Sequence, residues 1–187
     1  MAAGHQHYPP GTLYVVATPI GNLADLTLRA AHVLARVDTV ACEDKRVTAQ
    51  LLHHLGLHKP LVALHGHNEH EAAAAVLARL AAGASVAYVS DAGTPAVSDP
   101  GARLVAAVRA AGLRVVPLPG ASSITAALSA AGSVAADGGS GFLFAGFLPS
   151  KAGERDATVQ GLAGESRAVV LLEAPHRMEA LARALAV

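Results

Sequence analysis

The stretch SVAYVSDAGTPAVSDPGARLVAAVRAAG, Ser85–Gly112, contains the clearest strand, loop and helix of the chain. Ser85–Val89 is a short apolar run of the kind found in buried strands. A loop with glycine and proline follows, and Ala102–Ala111 then shows the apolar spacing of a helix. Parallel sheets bind ligands where a loop leaves a strand and enters a helix. The stretch therefore predicts a β-α unit with a candidate ligand loop, SDAGTP, at Ser90–Pro95.

Similar units extend in both directions along the chain. We predict that Asn68 caps one of the intervening helices. The alternation predicts an α/β fold, with a mostly parallel sheet and helices on both faces. The further strands are predicted at Thr12–Ala17, Thr39–Cys42, Leu61–Leu64 and Arg114–Leu118, and the helices at Leu26–Arg36, Val47–Leu55, Glu69–Ala82 and Ser122–Ala131.

Composition shifts divide the chain into segments. Residues 1–10 are predicted to be a disordered leader, and 11–134 to form an N-terminal α/β domain. The small-residue run AADGGSG, 135–141, is the predicted linker. Residues 142–187 are expected to be the truncated start of a second α/β domain. Its predicted strands are Phe142–Ala145 and Ala168–Glu173, and its predicted helices lie in Asp156–Leu162 and towards Val187.

Composition excludes several classes of protein. The 187 residues are 52% hydrophobic and 15% charged, which indicates a densely packed globular chain. A single cysteine, Cys42, excludes an intrachain disulfide and favours the reducing cytoplasm. No apolar run approaches the length of a membrane span. The formal net charge of zero does not indicate the broad basic face typical of nucleic-acid binders.

Two more loops rich in glycine or proline follow predicted strands, TPIGN at Thr18–Asn22 and PLPGASS at Pro117–Ser123. Glycine and proline permit tight turns and leave the backbone accessible, so a flat adenosyl group can lie against it. None of the three loops matches G-x-G-x-x-G or G-x-x-x-x-G-K-[ST]. Their absence argues against a nicotinamide-dependent oxidoreductase, a phosphate-transfer enzyme and the commoner methyltransferase fold, whose first turn is rich in glycine.

Longer motifs indicate the family. They occur in the order TPIGNLADLT (18–27), CEDKR (42–46), HGHNE (65–69), VSDAGTPAVSDPG (89–101), VVPLPG (115–120), GFLPSK (146–151) and EAPHR (173–177). From Gly11 onward the chain closely resembles the bacterial family that methylates a cytidine ribose 2′-oxygen in small-subunit (16S) ribosomal RNA. That family belongs to the tetrapyrrole-methylase-like superfamily.

The resemblance implies S-adenosylmethionine as the methyl donor, bound largely by backbone groups in a cleft between two α/β domains. It also implies a homodimer whose partner is 16S rRNA or the 30S subunit. The donor-binding residues that it implies are Pro19, Gly21, Asp91, Ala92, Gly93, Thr94, Pro95 and Ser122.

Methyl transfer to a hydroxyl requires alignment of oxygen, methyl and sulfur, and removal of the hydroxyl proton. Arg46 and Arg177 are candidates for holding RNA phosphates through forked hydrogen bonds. Each candidate also has a structural interpretation, such as pairing of Glu43 or Asp44 with Arg46, or of Glu173 with Arg177. The sequence selects no single base among the candidate acid/base residues Glu43, Asp44, Asn68, Glu69, Lys151, Glu173 and His176.

Other interpretations remain open. A methylase of the same superfamily that acts on a tetrapyrrole is the nearest enzyme alternative, and a non-catalytic donor-binding module is an alternative of another class. His65, His67 and His70 superficially resemble metal ligands. No metal is expected, because these residues lie at a strand-to-helix boundary and transfer from a sulfonium needs none.

Overall fold

The computed structural model describes residues 2–66, 68–132 and 141–186. The chain divides into two compact units, Met1–Ser123 and Ile124–Val187. The strands are β1 (Thr12–Val16), β2 (Thr39–Cys42), β3 (Leu61–Ala63), β4 (Val86–Val89), β5 (Arg114–Leu118), β6 (Phe142–Phe147) and β7 (Ala168–Leu172). The α-helices are α1 (Leu28–Arg36), α2 (Lys45–His54), α3 (Glu69–Ala81), α4 (Ala102–Ala110), α5 (Ser123–Ala131), α6 (Ala152–Leu162) and α7 (Met178–Leu185).

Most predicted elements agree with these bounds to within two residues. The largest difference is at the start of α6, and differences of two residues occur at the starts of α1 and α2 and at the end of β6. Helix α6 begins at Ala152, four residues before the predicted Asp156, and β6 continues to Phe147 rather than ending at Ala145. A 3-10 turn, Pro175–Arg177, precedes α7. Among the described ranges, no helix combines the length and apolar content that crossing a membrane requires.

The first unit is built on a five-stranded sheet in the order β3-β2-β4-β1-β5. All four strand pairings are parallel, and β1 lies between β4 and β5. Val16 is level with Val89 on one side and with Leu118 on the other. The carboxyl ends of these three neighbouring strands therefore lie together. The predicted α/β class with a mostly parallel sheet is confirmed.

Alternate strand residues point to opposite faces of this sheet, and each face packs against helices. One core contains Leu13, Val86 and Tyr88, packed with residues of α3 and α4. The other contains Tyr14, Val16 and neighbouring strand residues, packed with α1 and α2. Strands buried on both faces explain why the sequence shows continuous apolar runs rather than strict alternation.

Residues 2–10 differ from the predicted disordered leader. Ala2–His5 forms a 3-10 helix, and Tyr8 packs on α1. The Tyr8 ring centroid is 5.1 Å from the His32 ring, its hydroxyl donates to the Ala3 carbonyl over 3.0 Å, and the Arg36 guanidinium lies 5.7 Å from the ring centroid. The Tyr8 contacts, together with a hydrogen bond of 3.4 Å from the Tyr14 hydroxyl to the Pro9 carbonyl, pack this segment, although it has no hydrophobic period.

The second unit contains one β-α-β arrangement, β6-α6-β7, with its two strands parallel. The register shifts between Phe144 and Gly146, where Gly146 has a positive φ of 68°. The predicted linker at 135–141 lies outside the described residues except for Gly141.

Candidate functional site

The loops after β4 and β1 are joined by backbone hydrogen bonds. The Thr18 amide donates to the Gly93 carbonyl over 2.9 Å, and the Gly93 amide donates to the Thr18 carbonyl over 3.1 Å. The Thr18 hydroxyl also donates to the Ser90 carbonyl over 3.1 Å. The two loops are therefore fixed relative to each other at the carboxyl edge of the sheet.

The loop after β5 joins the same edge. The Thr94 hydroxyl donates to the Ala121 carbonyl over 3.0 Å. Gly120 comes so close to Ala17 that a Cβ at Gly120 would lie 2.8 Å from the Ala17 Cβ. We call this connected set of loops, 18–22, 90–95 and 117–123, the loop rim. The strand pattern predicts that the loops share one edge, and the topology confirms it.

The residues predicted to bind the donor differ in accessibility. Asp91 and Ala92 are exposed, whereas Gly93 and Pro95 are buried and shape the loop. Gly21 is exposed and its φ is 146°, so it holds an open turn that other residues rarely adopt. The partly buried members are Pro19, Thr94 and Ser122. Their contacts with a donor remain a prediction.

A cavity of about 300 Å³ opens between the loop rim and α2. Its apolar wall includes Pro19, Leu23, Val47 and Leu51. The polar groups at its boundary belong to Thr18, Thr48, Gln50, His54, Ser90 and Asp91. A mostly apolar cavity with a few polar groups is the usual form of a small-molecule site.

Carboxyl groups gather at the ends of β2 and β4, and one of them, Asp91, lies at the boundary of this cavity. Partial burial, together with the negative charges of Asp91, Asp99 and Asp44, raises the pKa of Glu43. Burial also raises the pKa of Asp99, and a hydrogen bond with Ser90 partly opposes that rise. A raised pKa makes a carboxylate a stronger base near neutral pH, so Glu43 has the electrostatic character of a proton acceptor.

Asp44 and Arg46 form a local pair. The Asp44 carboxylate accepts from the Arg46 amide over 2.7 Å and caps α2, which explains why this helix begins at Lys45 rather than Val47. The Arg46 guanidinium donates to the same carboxylate over 2.7 Å. These bonds lower the pKa of Asp44 to about 2. Of the partners left open by the sequence, Asp44 is the one that pairs with Arg46.

Asn68 and Glu69 are both engaged in structural contacts. The Asn68 side chain accepts from the His65 amide over 2.9 Å and donates to the Ala63 carbonyl over 3.1 Å. Asn68 occupies the N-cap position of α3 but makes no side-chain cap bond, so the predicted capping contact is wrong. Its side chain instead stabilises the turn after β3. Glu69 is buried and accepts from backbone amides at the start of α4.

In the second unit, Arg177 connects the motifs EAPHR (173–177) and GFLPSK (146–151) through hydrogen bonds. Its guanidinium donates to the Leu148 and Pro149 carbonyls and to the Ser150 hydroxyl, over 3.1, 3.2 and 3.0 Å. It also lies 3.1 Å from the carboxylate of Glu173, whose side chain is 1% exposed. The alternative pairing of Glu173 with Arg177 is therefore present, within one unit.

The remaining candidates are more accessible. Lys151 pairs with Glu154 over 3.1 Å on the surface, and His176 is exposed in the Pro175–Arg177 turn. His70 is exposed, and His67 lies outside the described residues. Within the described ranges, no group of three or more His, Cys, Asp or Glu side chains could hold a metal ion.

Several residues of this edge escaped the sequence analysis. Thr18 joins the loops through its hydroxyl, and its position directly after a strand was the available signal. Thr48 is buried at the cavity, beside the Cys42 thiol. Asp99 lies within the quoted VSDAGTPAVSDPG motif. Tyr88, inside β4, donates to the Pro100 carbonyl, and no local pattern indicates this bond.

Several proteins of similar sequence share the same name. The chain is 52% identical over 169 residues to the ribosomal RNA small subunit methyltransferase I of Xylella fastidiosa. The aligned residues make up 90% of this chain and 60% of that protein. The chain is 50% identical over 169 residues to the protein of that name in Escherichia coli O157:H7, covering 90% of this chain and 57% of the relative. The chain thus spans less than two thirds of the length of these relatives.

Solved structures share the fold. A cobalamin biosynthetic enzyme, cobalt precorrin-4 methyltransferase, superposes with a TM-score of 0.69 at 19% identity, covering 97% of this chain and 77% of that one. Uroporphyrin-III-C-methyltransferase from Thermus thermophilus gives a TM-score of 0.63 at 25% identity, covering 94% and 73%. The family profile described as tetrapyrrole (corrin/porphyrin) methylases matches residues 12–187. The chain therefore belongs to the tetrapyrrole (corrin/porphyrin) methylase family.

Proposed function

We propose that this chain is the donor-binding part of an S-adenosylmethionine-dependent methyltransferase that methylates a cytidine ribose 2′-oxygen in 16S ribosomal RNA. The observation that carries the proposal is the loop rim, in which three loops bond to one another at the carboxyl ends of adjacent parallel strands. Ligands of open parallel sheets bind at this edge. The relatives named ribosomal RNA small subunit methyltransferase I support the RNA substrate.

The residues of the rim fit the proposed donor. The loop 90–95 carries one charged side chain, Asp91, and exposes the backbone beside it at Ala92. A carboxylate and bare backbone groups suit a ligand that carries an ammonium group, a sulfonium and a carboxylate. When bound, the donor supplies an electrophilic methyl group. Neighbouring Gly93 and Pro95 are buried and keep the loop in shape.

The cavity beside α2 is a suitable place for the acceptor nucleotide. Its volume of about 300 Å³ and its apolar wall suit a nucleobase and its sugar. Asp91 and Ser90 belong to both the rim and the cavity boundary, so a ligand in the cavity lies next to one held by the loop. Methyl transfer needs this adjacency, because donor and acceptor must be aligned.

Glu43 is the proposed general base. It follows β2 directly, and partial burial together with the negative charges around it raises its pKa. A ribose hydroxyl must lose its proton as the new bond forms, and a carboxylate of raised pKa accepts it more readily. Glu43 acts on the acceptor hydroxyl in this scheme, whereas Asp91 contributes to donor binding.

The donor proposal is tested by calorimetry of the chain with S-adenosylmethionine. We expect saturable binding, which Asp91→Asn weakens by about tenfold because one charge-assisted contact is lost. Asp156→Asn, an exposed aspartate of α6, is the matched control and should leave the affinity unchanged. A folded chain that binds no donor at millimolar concentration would contradict the proposal.

Labelled-methyl transfer separates the acceptors. Small subunits, naked 16S rRNA and a porphyrinoid precursor are offered to the chain in parallel. We expect label in the RNA, lost on Val47→Trp, which fills the cavity while donor binding persists. Label in the porphyrinoid alone would favour the second candidate, a tetrapyrrole methylase, which the chain's neutral net charge supports.

We also propose that the protein acts as a homodimer in the cytoplasm, as the family resemblance implies. Sedimentation equilibrium tests the oligomeric state. A molar mass that stays at the monomer value up to high micromolar concentration would contradict the homodimer. Fractionation of cells that express a tagged copy tests the location.

A further inference from the structure

The loop after β4 is held at both ends by different means. Its beginning pairs with the loop after β1 through Thr18 and Gly93. Its end, at Gly101, is held by Glu69, the first residue of α3. Glu69 therefore acts on this loop from an element that is remote in sequence.

The Glu69 carboxylate is committed to backbone amides. Its Oε1 accepts from the Gly101 amide over 3.0 Å and from the Arg103 amide over 3.2 Å. These amides open α4, where backbone donors have no partner within the helix. Gly101 has no side chain with which to cap α4, so Glu69 caps this helix from outside. A negative charge at this end also interacts favourably with the helix dipole.

The Arg103 guanidinium contributes little to this arrangement. Its Nε lies 3.9 Å from Oε2 of Glu69, and the Arg103 side chain is 82% exposed. A long, solvent-screened ion pair of this kind has a small effect. The backbone hydrogen bonds, rather than the ion pair, are what fix Glu69 to α4.

The segment between the two anchors is strained. Ala96 has a φ of 64°, in the left-handed region that non-glycine residues seldom adopt. Tyr88 adds to the anchor at the far end by donating to the Pro100 carbonyl. A strained residue persists only where its surroundings hold it, and such residues concentrate at ligand-binding loops.

We infer that Glu69 is a positioning residue for the methyl donor: by capping α4 it holds the end of the loop 90–101, and so keeps Asp91 and Ala92 in the donor-binding conformation. This role rests on the proposed function, and it differs from that of a general base. Glu69 is 8% exposed and one of its oxygens already accepts two hydrogen bonds. It contacts the donor nowhere in this scheme.

The test compares Glu69→Ala with Glu69→Gln in the full chain. Glutamine retains an oxygen that accepts from both amides, whereas alanine retains none. Calorimetry with S-adenosylmethionine should show binding weakened about tenfold or more by Glu69→Ala, and within about threefold of the unaltered protein for Glu69→Gln. Amide exchange at Gly101 and Arg103 should accelerate in the alanine variant only.

Val76→Ala is the control for a general loss of stability. Val76 is fully buried in the same helix, and its truncation weakens packing without removing the cap. It should lower the melting temperature yet leave the donor affinity unchanged at a temperature where every variant is folded. Should Glu69→Ala fail to fold, Glu69→Asp replaces it, since its shorter side chain cannot reach both amides.

Two results would overturn the role of Glu69 while leaving the proposed function intact. One is equal donor affinity of Glu69→Ala and the unaltered chain. The other is an equal loss of affinity in Val76→Ala, which would make the effect one of global stability. Absence of donor binding by the unaltered chain would overturn the proposed function itself.

Discussion

At the scale of single residues, the charge state of Glu43 has a consequence for stability. Its pKa in the folded chain lies above its ordinary value, because burial and nearby carboxylates disfavour the charged form. The folded state therefore binds this proton more tightly than the unfolded state does. The stability associated with Glu43 is greatest at acid pH and falls as the pH rises through the raised pKa.

Glu43→Gln should therefore raise the melting temperature at pH 7, and should have little effect near about pH 3, which lies below the ordinary pKa of a glutamate. Calorimetric melting at both pH values measures this difference. Equal effects of Glu43→Gln at the two pH values would contradict the raised pKa. If Glu43 is also the base, methyl transfer should fall while donor affinity stays constant.

Gly101 is the residue whose backbone most restricts substitution in the loop. Its φ is 115°, and the Tyr88 ring occupies the space that a side chain would need. Gly101→Ala should destabilise the first unit by about 2–4 kcal/mol, from overpacking and an unfavourable φ together. Urea unfolding measures the loss. Gly83→Ala, also at a positive φ but in open space, should cost less.

The sequence predicted candidate carboxylates but left open whether Glu43 or Asp44 pairs with Arg46. Asp44 and Glu43 are adjacent in sequence, yet the pKa of one is lowered by Arg46 and that of the other is raised by burial. Such opposite shifts depend on which side chain points inward. The packing around the end of β2 decides these side-chain orientations, so a local sequence pattern cannot predict them.

At the scale of secondary-structure elements, Arg177 connects the turn before α7 to the segment after β6. Its partners include the buried carboxylate of Glu173 and the carbonyls of Leu148 and Pro149. Its planar guanidinium suits several acceptors at once. The predicted phosphate-binding role stays open, but these contacts already occupy much of the side chain.

Arg177→Ala should destabilise the second unit by about 3 kcal/mol, because it leaves the Glu173 charge buried without its partner. Arg183→Ala removes an ion pair with Glu179 in which both side chains are 79% exposed, and should cost under about 0.5 kcal/mol. Chemical denaturation of both variants measures the contrast. Similar losses in the two would contradict the structural role of Arg177.

The starts of the helices also show where the local sequence was enough to predict a capping contact. Thr27 caps α1 with its hydroxyl, accepting from the Ala30 amide over 3.0 Å, and a threonine before an apolar helix is a recognised start signal. Asn68 carries the same signal, but its amide binds the turn after β3 instead. The two differ because the backbone of the turn after β3 competes for the Asn68 side chain.

At the scale of the whole molecule, the neutral charge bears on the RNA binding that we propose. The chain has 14 Lys and Arg against 14 Asp and Glu, so its affinity for RNA should depend little on counterion release. We expect the slope of log affinity against log salt concentration to be shallower than about −3. Fluorescence anisotropy with a labelled 16S fragment between low and moderate salt measures it, and a slope steeper than about −5 would contradict this.

The periods of apolar residues and the positions of glycine and proline were enough to predict the β-α alternation, most element bounds and the loops at strand ends. These features are local, since they depend on side chains within a few residues of one another. The longer motifs indicated the family. The packing of residues 2–10 was missed, because individual contacts of Tyr8 and Tyr14 rather than a pattern hold that segment.

The sheet order β3-β2-β4-β1-β5 and the contacts that follow from it were decided by the tertiary structure alone. Thr18 meets Ser90 across 72 positions of sequence, and Glu69 meets Gly101 across 32. Such pairs form only after strands distant in the chain become neighbours, and each buried donor or acceptor then takes the partner within its reach. Only that assembly could show that Glu69, a candidate acid or base by its position, holds the start of a helix.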